Sequence, residues 1–283
     1  MSALPSGGYP IERRDGEIER LRIQAAALAF DAGVMLERIG VRPGWRCLDL
    51  GCGAGGILEL MAARAEPGGL VVGLDADAGL LQAARDWTHA HRAARTRFVL
   101  GDAYRTGLRP ASFDLVHVRF VASTAGLAEP LLSEAISLAR PGGVVAFQEP
   151  DTDALNCYPP HPAWTRLTTA LYAAFRAVGG DTTLGQRLFA LLRHAGLEDV
   201  AYRPFVVGVT SRDPMRDFLP ATAESLRKTL VGRDIISDAE LDRTLAECRA
   251  HLSQPETVFT TYLVAQVWGR TPGSPTCQVA TLD

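Results

Sequence analysis

Five short apolar runs recur between Trp45 and Pro150, and their alternation with helical stretches limits the folds open to this chain more than any other feature. The runs are "WRCLDL", "GLVVGLD", "TRFVLGD", "FDLVHV" and "GGVVAFQEP". Helical stretches at Gly55–Ala65, Asp77–Ala93 and Glu129–Ala139 lie among them. Strands of this length alternating with helices form βαβ units, so the pattern predicts an α/β fold: a doubly wound, parallel sheet with helices on both faces.

The flanking segments have a different rhythm. Residues 1–10 are rich in Gly, Pro and Ser. From Ile11 to Ile39 apolar residues return at helical spacing (Ile18, Leu21, Ala25, Leu28, Ala32, Met35, Ile39) until "GVRPGW" breaks the helix. After Pro150, helices are expected near Ala163–Val178 and Thr183–His194, then a strand at Val200–Val209. Residues 211–254 read as a helical cap inserted over the ligand edge of the sheet, and "TVFTTYLVAQVWGR" as a closing strand. The expected organisation is an N-terminal helix at 1–40, a core of 41–210 with 255–270, the cap at 211–254 and a frayed tail at 271–283.

Charge and cysteine usage narrow the function classes. The net charge is −3 and no long basic block occurs, which disfavours a nucleic-acid partner. The five cysteines are widely spread without a C-x-x-C pair, so neither a disulfide framework nor a metal site is expected. "MSALPSGGYPIERRD" has no apolar core like that of a signal peptide, and Gln24 and Asp31 interrupt the most apolar stretch, Ile23–Leu36. The expectation is a cytoplasmic protein without a membrane partner.

The loop after the first strand, "LDLGCGAGG", carries Gly51, Gly53 and Gly56 in a G-x-G-x-x-G spacing that fits a dinucleotide or another nucleoside cofactor. Asp49 bears on the choice. A carboxylate entering the loop would repel a pyrophosphate but suits S-adenosylmethionine, which carries an ammonium and a sulfonium and no phosphate. Asp75, about 20 residues on, is placed to accept from ribose hydroxyls. Asp102, at the tip of the third strand, is placed for an adenine amino group. Each acid has a structural alternative: Asp49 as a cap on loop amides, Asp75 as a turn or helix cap ahead of Asp77, Asp102 as a turn residue. Three acids on three successive strand ends form a stronger pattern than the glycines alone.

On these motifs the chain resembles the class I S-adenosylmethionine-dependent methyltransferases, from about Trp45 to Pro150 and in family order: "LDLGCGAGG", "VVGLDAD", "FVLGDA", "FDLVHVRF" and "LARPGGVVAFQEP". The resemblance implies a Rossmann-like sheet of seven strands, the last antiparallel. It also implies S-adenosylmethionine as cofactor, S-adenosylhomocysteine as its product, and a small-molecule methyl acceptor as partner. The implied cofactor contacts are Asp49, Gly51, Cys52, Gly53, Asp75, Ala76, Asp102, Ala103 and Arg119. The segment "Y…EIERLRIQ" is similar to a small-molecule branch common in bacterial secondary metabolism, in which a preceding helix closes over the cofactor. That would bring Tyr9 and Gln24 near the methionine carboxylate. The helix's apolar stripe would then pack on the sheet, or on another subunit of a homo-oligomer. Where relatives often carry an aromatic residue or histidine after the fourth strand, this chain reads "VASTAGLAEP", which suggests a roomier acceptor pocket around Gly126.

Methyl transfer needs a general base only if the acceptor must first lose a proton. Glu149, at the end of the fifth strand, could serve as that base, bind an amine or anchor the cap. His117, inside the fourth strand, is either a base or a satisfied core histidine. His161, in "YPPHPAW" beside Tyr158 and Trp164, opens a segment expected to face a planar acceptor or to pack the cap.

Overall fold

The computed structural model describes residues 16–91, 95–125 and 127–273. A long helix, α1 (Glu17–Ile39), comes first. Glu17 and Glu19 lie in its first turn, where the helix dipole favours acids, and Gly40 closes it with φ of 80°, its N–H donating to the Leu36 and Glu37 carbonyls. Next come β1 (Arg46–Leu50), α2 (Leu58–Ala65), β2 (Leu70–Asp75), α3 (Ala78–Ala90), β3 (Thr96–Leu100) and β4 (Phe113–Arg119). They are followed by α4 (Ala122–Ala125), α5 (Ala128–Leu138), β5 (Ala139–Asp151), β6 (Asn156–Tyr158), α6 (Pro162–Ala177) and α7 (Leu184–His194). The rest is β7 (Glu198–Phe205), β8 (Gly208–Thr210), α8 (Phe218–Ser225), α9 (Arg227–Gly232), α10 (Asp238–Leu252), β9 (Val258–Thr260) and β10 (Leu263–Arg270).

Seven strands form one sheet in the order β3-β2-β1-β4-β5-β10-β7. β1 to β5 pair in parallel, and β10 runs antiparallel to both β5 and β7. This is the doubly wound sheet that the alternation predicts, with the seven strands and antiparallel last strand that the resemblance implies. Strand order reverses between β1 and β4, so the crevice at their carboxyl ends is where such a sheet takes a ligand. One face packs Leu48, Leu50, Val116, Val118 and Phe147 against α5 and α7. The other packs Cys47, Leu115 and Ala146 against Met35, Leu36 and Ile39 of α1 and Met61 of α2. Burying each of those α1 side chains contributes roughly 1.5–3 kcal/mol, so the C-terminal half of α1 is part of the core. The apolar stripe of α1 thus packs on its own chain.

The cap is larger than the sequence indicates. Trp164, Leu167 and Leu171 of α6 share one apolar core with Leu219, Leu226, Leu230, Leu241 and Leu245, so residues 156–177 belong with 211–254. A three-stranded sheet, β6-β9-β8, closes this unit. Strands of three residues are too short to show a period of two, which is why they escape sequence reading. The run "TVFTTYLVAQVWGR" is not one strand: it leaves the cap sheet after Thr260 and enters the core sheet at Leu263, turning at Thr261 and Tyr262. The expected tail also starts too early, since Thr271 is buried with its hydroxyl donating to the Arg140 carbonyl at 2.6 Å. Among the described residues no helix is long and apolar enough to cross a membrane.

Candidate active site

The glycine loop folds back onto the end of β2. Gly51 and Cys52 donate their N–H groups to the Leu74 carbonyl at 2.7 and 3.0 Å, and Gly53 donates to Asp75 Oδ2 at 2.8 Å. Gly51 has φ of 74°, and a β-carbon there would run into the Val121 side chain. Asp75 Oδ1 also accepts from the Asp77 N–H at 2.9 Å, so two of a carboxylate's roughly four acceptor positions are used. Burial raises the Asp75 pKa, and the Asp77 and Gly53 N–H groups oppose that rise. Asp77 is the helix cap, accepting from Gly79 and Leu80 at the start of α3. Burial likewise pushes the Cys52 thiol well above its ordinary value.

Asp102 is exposed and accepts from the Tyr104 N–H at 2.8 Å. Arg119, at the end of β4, lies over Gly56, where a β-carbon would meet its guanidinium. Arg119 Nη1 is buried without a hydrogen-bond partner. Burial lowers its pKa, and the nearby Asp49 opposes that effect. A buried guanidinium N–H group without a partner is costly and suits an anionic ligand group.

All these residues open onto one cavity of about 1040 Å³ between the strand ends, α1 and the cap. Its walls include Asp49, Gly51, Cys52, Gly53, Asp75, Ala76, Asp102, Ala103 and Arg119, so the structure brings together nine of the expected cofactor contacts. Gln24 lines it as well and donates through Nε2 to the Tyr262 hydroxyl at 2.6 Å. Tyr9 and Gly126 lie outside the described residues. Tyr262 was invisible in the sequence because it sits inside an apparent strand. At the turn between β9 and β10 it stands edge-on to Phe120 and Phe218, with ring centroids 5.4 and 5.5 Å away. Burial pushes its pKa up to about 12.

None of the three residues considered for base catalysis lines the cavity. Glu149 has no solvent exposure, and its oxygens accept the Ala122 and Ser123 N–H groups, each at 3.1 Å, which makes it an anchor for α4. His117 is fully buried within the sheet, with Nδ1 2.7 Å from Asp49 Oδ1. His161 caps α6, accepting from the Ala163 N–H at 3.2 Å, and stacks on His251. Its neighbours also lie elsewhere, Trp164 in the cap core against Phe259 and Tyr158 at the surface. Among the described residues, no cluster of three or more His, Cys, Asp or Glu side chains is placed to hold a metal ion.

The sheet order, the antiparallel β10 and the acids at three strand ends define the class I S-adenosylmethionine-dependent methyltransferase fold. The chain belongs to the methyltransferase-domain family, whose model matches residues 42–192. It is 31% identical over 198 residues to an uncharacterised 37.1 kDa protein in transposon TN4556 from Streptomyces fradiae, a match covering 69% of this chain and 54% of that protein. It is 33% identical over 171 residues to a trans-aconitate 2-methyltransferase of Methylobacterium radiotolerans, covering 60% of each. The chain spans about half the length of the curated relatives it matches. Among solved structures, the YcgJ protein of Bacillus subtilis superimposes with a TM-score of 0.57 at 16% identity, over 87% of this chain and 100% of that one, a likeness of fold.

The cavity's groups fit the family's cofactor. Arg119 Nη1 lacks an anion, Asp75 keeps acceptor positions for a diol, and Asp49 suits an ammonium.

Proposed function

We propose that this chain is a methyltransferase that transfers the methyl group of S-adenosylmethionine to a small, planar and largely apolar acceptor, without a protein base. When bound, the cofactor supplies a methyl group activated on a sulfonium. Asp75 would hold its ribose, Asp102 its adenine amino group, Arg119 its carboxylate and Asp49 its ammonium. The observation that carries the reading is the distribution of groups around the cavity. Its carboxylates (Asp49, Glu59, Asp75, Asp77 and Asp102) all stand on the glycine-loop side. The opposite wall, from α6, α8 and Tyr262, presents Leu171, Tyr172, Phe175, Phe218, Leu219 and Thr222, with no carboxylate or histidine among the described residues. Such a wall excludes water and holds a flat molecule. An acceptor that attacks through an electron-rich carbon or a neutral amine needs no more than that. Positioning alone can supply effective molarities of about 10⁵–10⁸ M, or roughly 7–11 kcal/mol.

The likeness of "Y…EIERLRIQ" to the secondary-metabolism branch supports a natural-product acceptor. Four buried free thiols (Cys47, Cys52, Cys157 and Cys248) suit a reducing compartment. The test is transfer of radiolabelled methyl to fractionated extract of the source cells. Label should enter low-mass compounds that partition into organic solvent, and Asp75→Ala should weaken S-adenosylhomocysteine binding by about 1.5–3 kcal/mol, the scale of hydrogen bonds to a charged group. Label confined to RNA or protein would refute the small-molecule acceptor, and label only in polar acids would refute the apolar one.

A further inference from the structure

Five polar side chains cross the sheet beneath α1 as an unbroken ladder. Asp49 on β1 pairs in register with His117 on β4, Gln148 on β5 with Gln266 on β10, and Gln266 with Arg203 on β7. His117, Gln148 and Gln266 have no solvent exposure and Asp49 has 4%. Arg203 Nη1 donates to Gln266 Oε1 at 2.9 Å, and Gln266 Nε2 donates to Gln148 Oε1 at 3.0 Å. Gln148 Nε2 lies 2.8 Å from His117 Nε2, and His117 Nδ1 lies 2.7 Å from Asp49 Oδ1.

The direction of every bond follows from one end. A guanidinium only donates, so Gln266 must turn its oxygen to Arg203. The Asp31 carbonyl of α1, 3.0 Å from Gln266 Nε2, requires the same orientation independently. Gln266 therefore gives its amide hydrogens to Asp31 and Gln148, and Gln148 must present its oxygen to Gln266 and its NH₂ to His117. Nε2 of His117 is left as the acceptor, and the ring hydrogen sits on Nδ1, donated to Asp49.

We propose that this ladder makes His117 a positioning residue, holding its ring as the Nδ1–H tautomer so that Asp49 keeps its full negative charge at the cavity for the ammonium of the cofactor. A second hydrogen, on Nε2, would face the Gln148 amide hydrogens, so the ladder opposes an imidazolium that would offset Asp49. The charged or titratable groups around it are Asp75, Cys52 and Arg119 beside Asp49, and Asp31, paired with Arg203, at the α1 end. The inference rests on the reading of the cavity as the cofactor site.

Nitrogen-15 NMR of histidine-labelled protein without cofactor tests the ladder directly, with His117 assigned by loss of its signals in His117→Asn. At about pH 7 the wild-type ring should show a protonated Nδ1 and a bare Nε2. In Gln148→Glu a carboxylate would accept from Nε2, and the ring should carry both hydrogens. By calorimetry, S-adenosylhomocysteine binding should weaken about tenfold or more in His117→Leu and in Gln148→Glu. His117→Asn, whose amide can still donate to Asp49, should stay within about threefold of wild type. An Nε2–H tautomer in the wild type, or equal binding by the Leu and Asn variants, overturns the proposal. The expected tautomer in a protein that binds no S-adenosylhomocysteine overturns it together with the cofactor reading.

Discussion

Glu149 combines complete burial with two backbone N–H donors that favour its charged form, and burial outweighs them, pushing its pKa up to about 7 from an ordinary 4.5. Between those values the folded protein binds more protons than the unfolded chain. Stability from this group therefore falls as pH rises from about 4.5 to about 7, and is level above that window. Glu149→Gln cannot titrate, and it loses one N–H contact at every pH. The melting temperature of wild type relative to Glu149→Gln should accordingly drop across that window, and a constant difference would show that the carboxyl is not desolvated. Single residues differ in how much the sequence reveals of them. Asp49, Asp75 and Asp102 were legible because each follows an apolar strand beside a glycine or a turn. Gln148, Gln266 and Arg203 were not, because their partners are set by sheet register across 118 and 63 residues of chain. A lone glutamine in an apolar strand carries no local signal of that kind. Glu149 and His117 were legible as candidates, but sequence alone could not tell a strand-end carboxylate facing the cavity from one turned into the helix behind it.

Helix α1 touches three bodies at once. Ile18 and Leu21 pack on Ala54, Leu80 and Ala83 around the glycine loop, and Ile23 and Ala27 pack on the cap core. Met35, Leu36 and Ile39 lie in the sheet core. Glu17 adds a fixed point, paired with Arg20 and accepting from the Ser225 hydroxyl of α8 at 2.9 Å. Removing residues 1–24 would take away the contacts to the loop and leave those to the sheet. The truncated protein should stay folded, bind cofactor more weakly and turn over at least about tenfold more slowly, as for an enzyme that has lost its lid. Gln24→Ala should reproduce part of the loss in a protein that stays folded, with a modest drop in melting temperature from the lost hydrogen bond to Tyr262. Unfolding of the truncated form by circular dichroism, or full activity, would make α1 a packing helix only. The helical period of α1 was plain in the sequence because that helix is long and one-sided, and β1 to β5 because they are near-continuous apolar runs set between helices. The extent of the cap is not legible in the sequence: α6 is amphipathic toward a partner that begins some 40 residues later, and periodicity does not name the partner.

Apolar side chains pack both faces of the sheet and, separately, the interior of the cap, and the cavity lies between sheet and cap beneath α1. A ligand filling it touches strand ends, cap and helix together, so it should stabilise the folded chain as a unit. The hydrogen bonds of the glycine loop decide which ligand that is. A dinucleotide would need free loop N–H groups for its pyrophosphate, yet those of Gly51 and Cys52 go to the Leu74 carbonyl and that of Gly53 goes to Asp75. Two carboxylates, Asp49 and Asp75, would stand against its phosphates. S-adenosylhomocysteine asks nothing of those amides and meets acceptors where it has donors. At about 100 times its dissociation constant it should contribute about 2.7 kcal/mol to folding. For a chain of this size that is a rise in melting temperature of roughly 4–5 °C. NAD at the same concentration should leave the transition where it is, because binding it would mean breaking three loop hydrogen bonds and burying like charges together. A differential scanning fluorimetry titration with both ligands separates the two, and an equal or larger rise with NAD would mean that the loop opens to take phosphate after all.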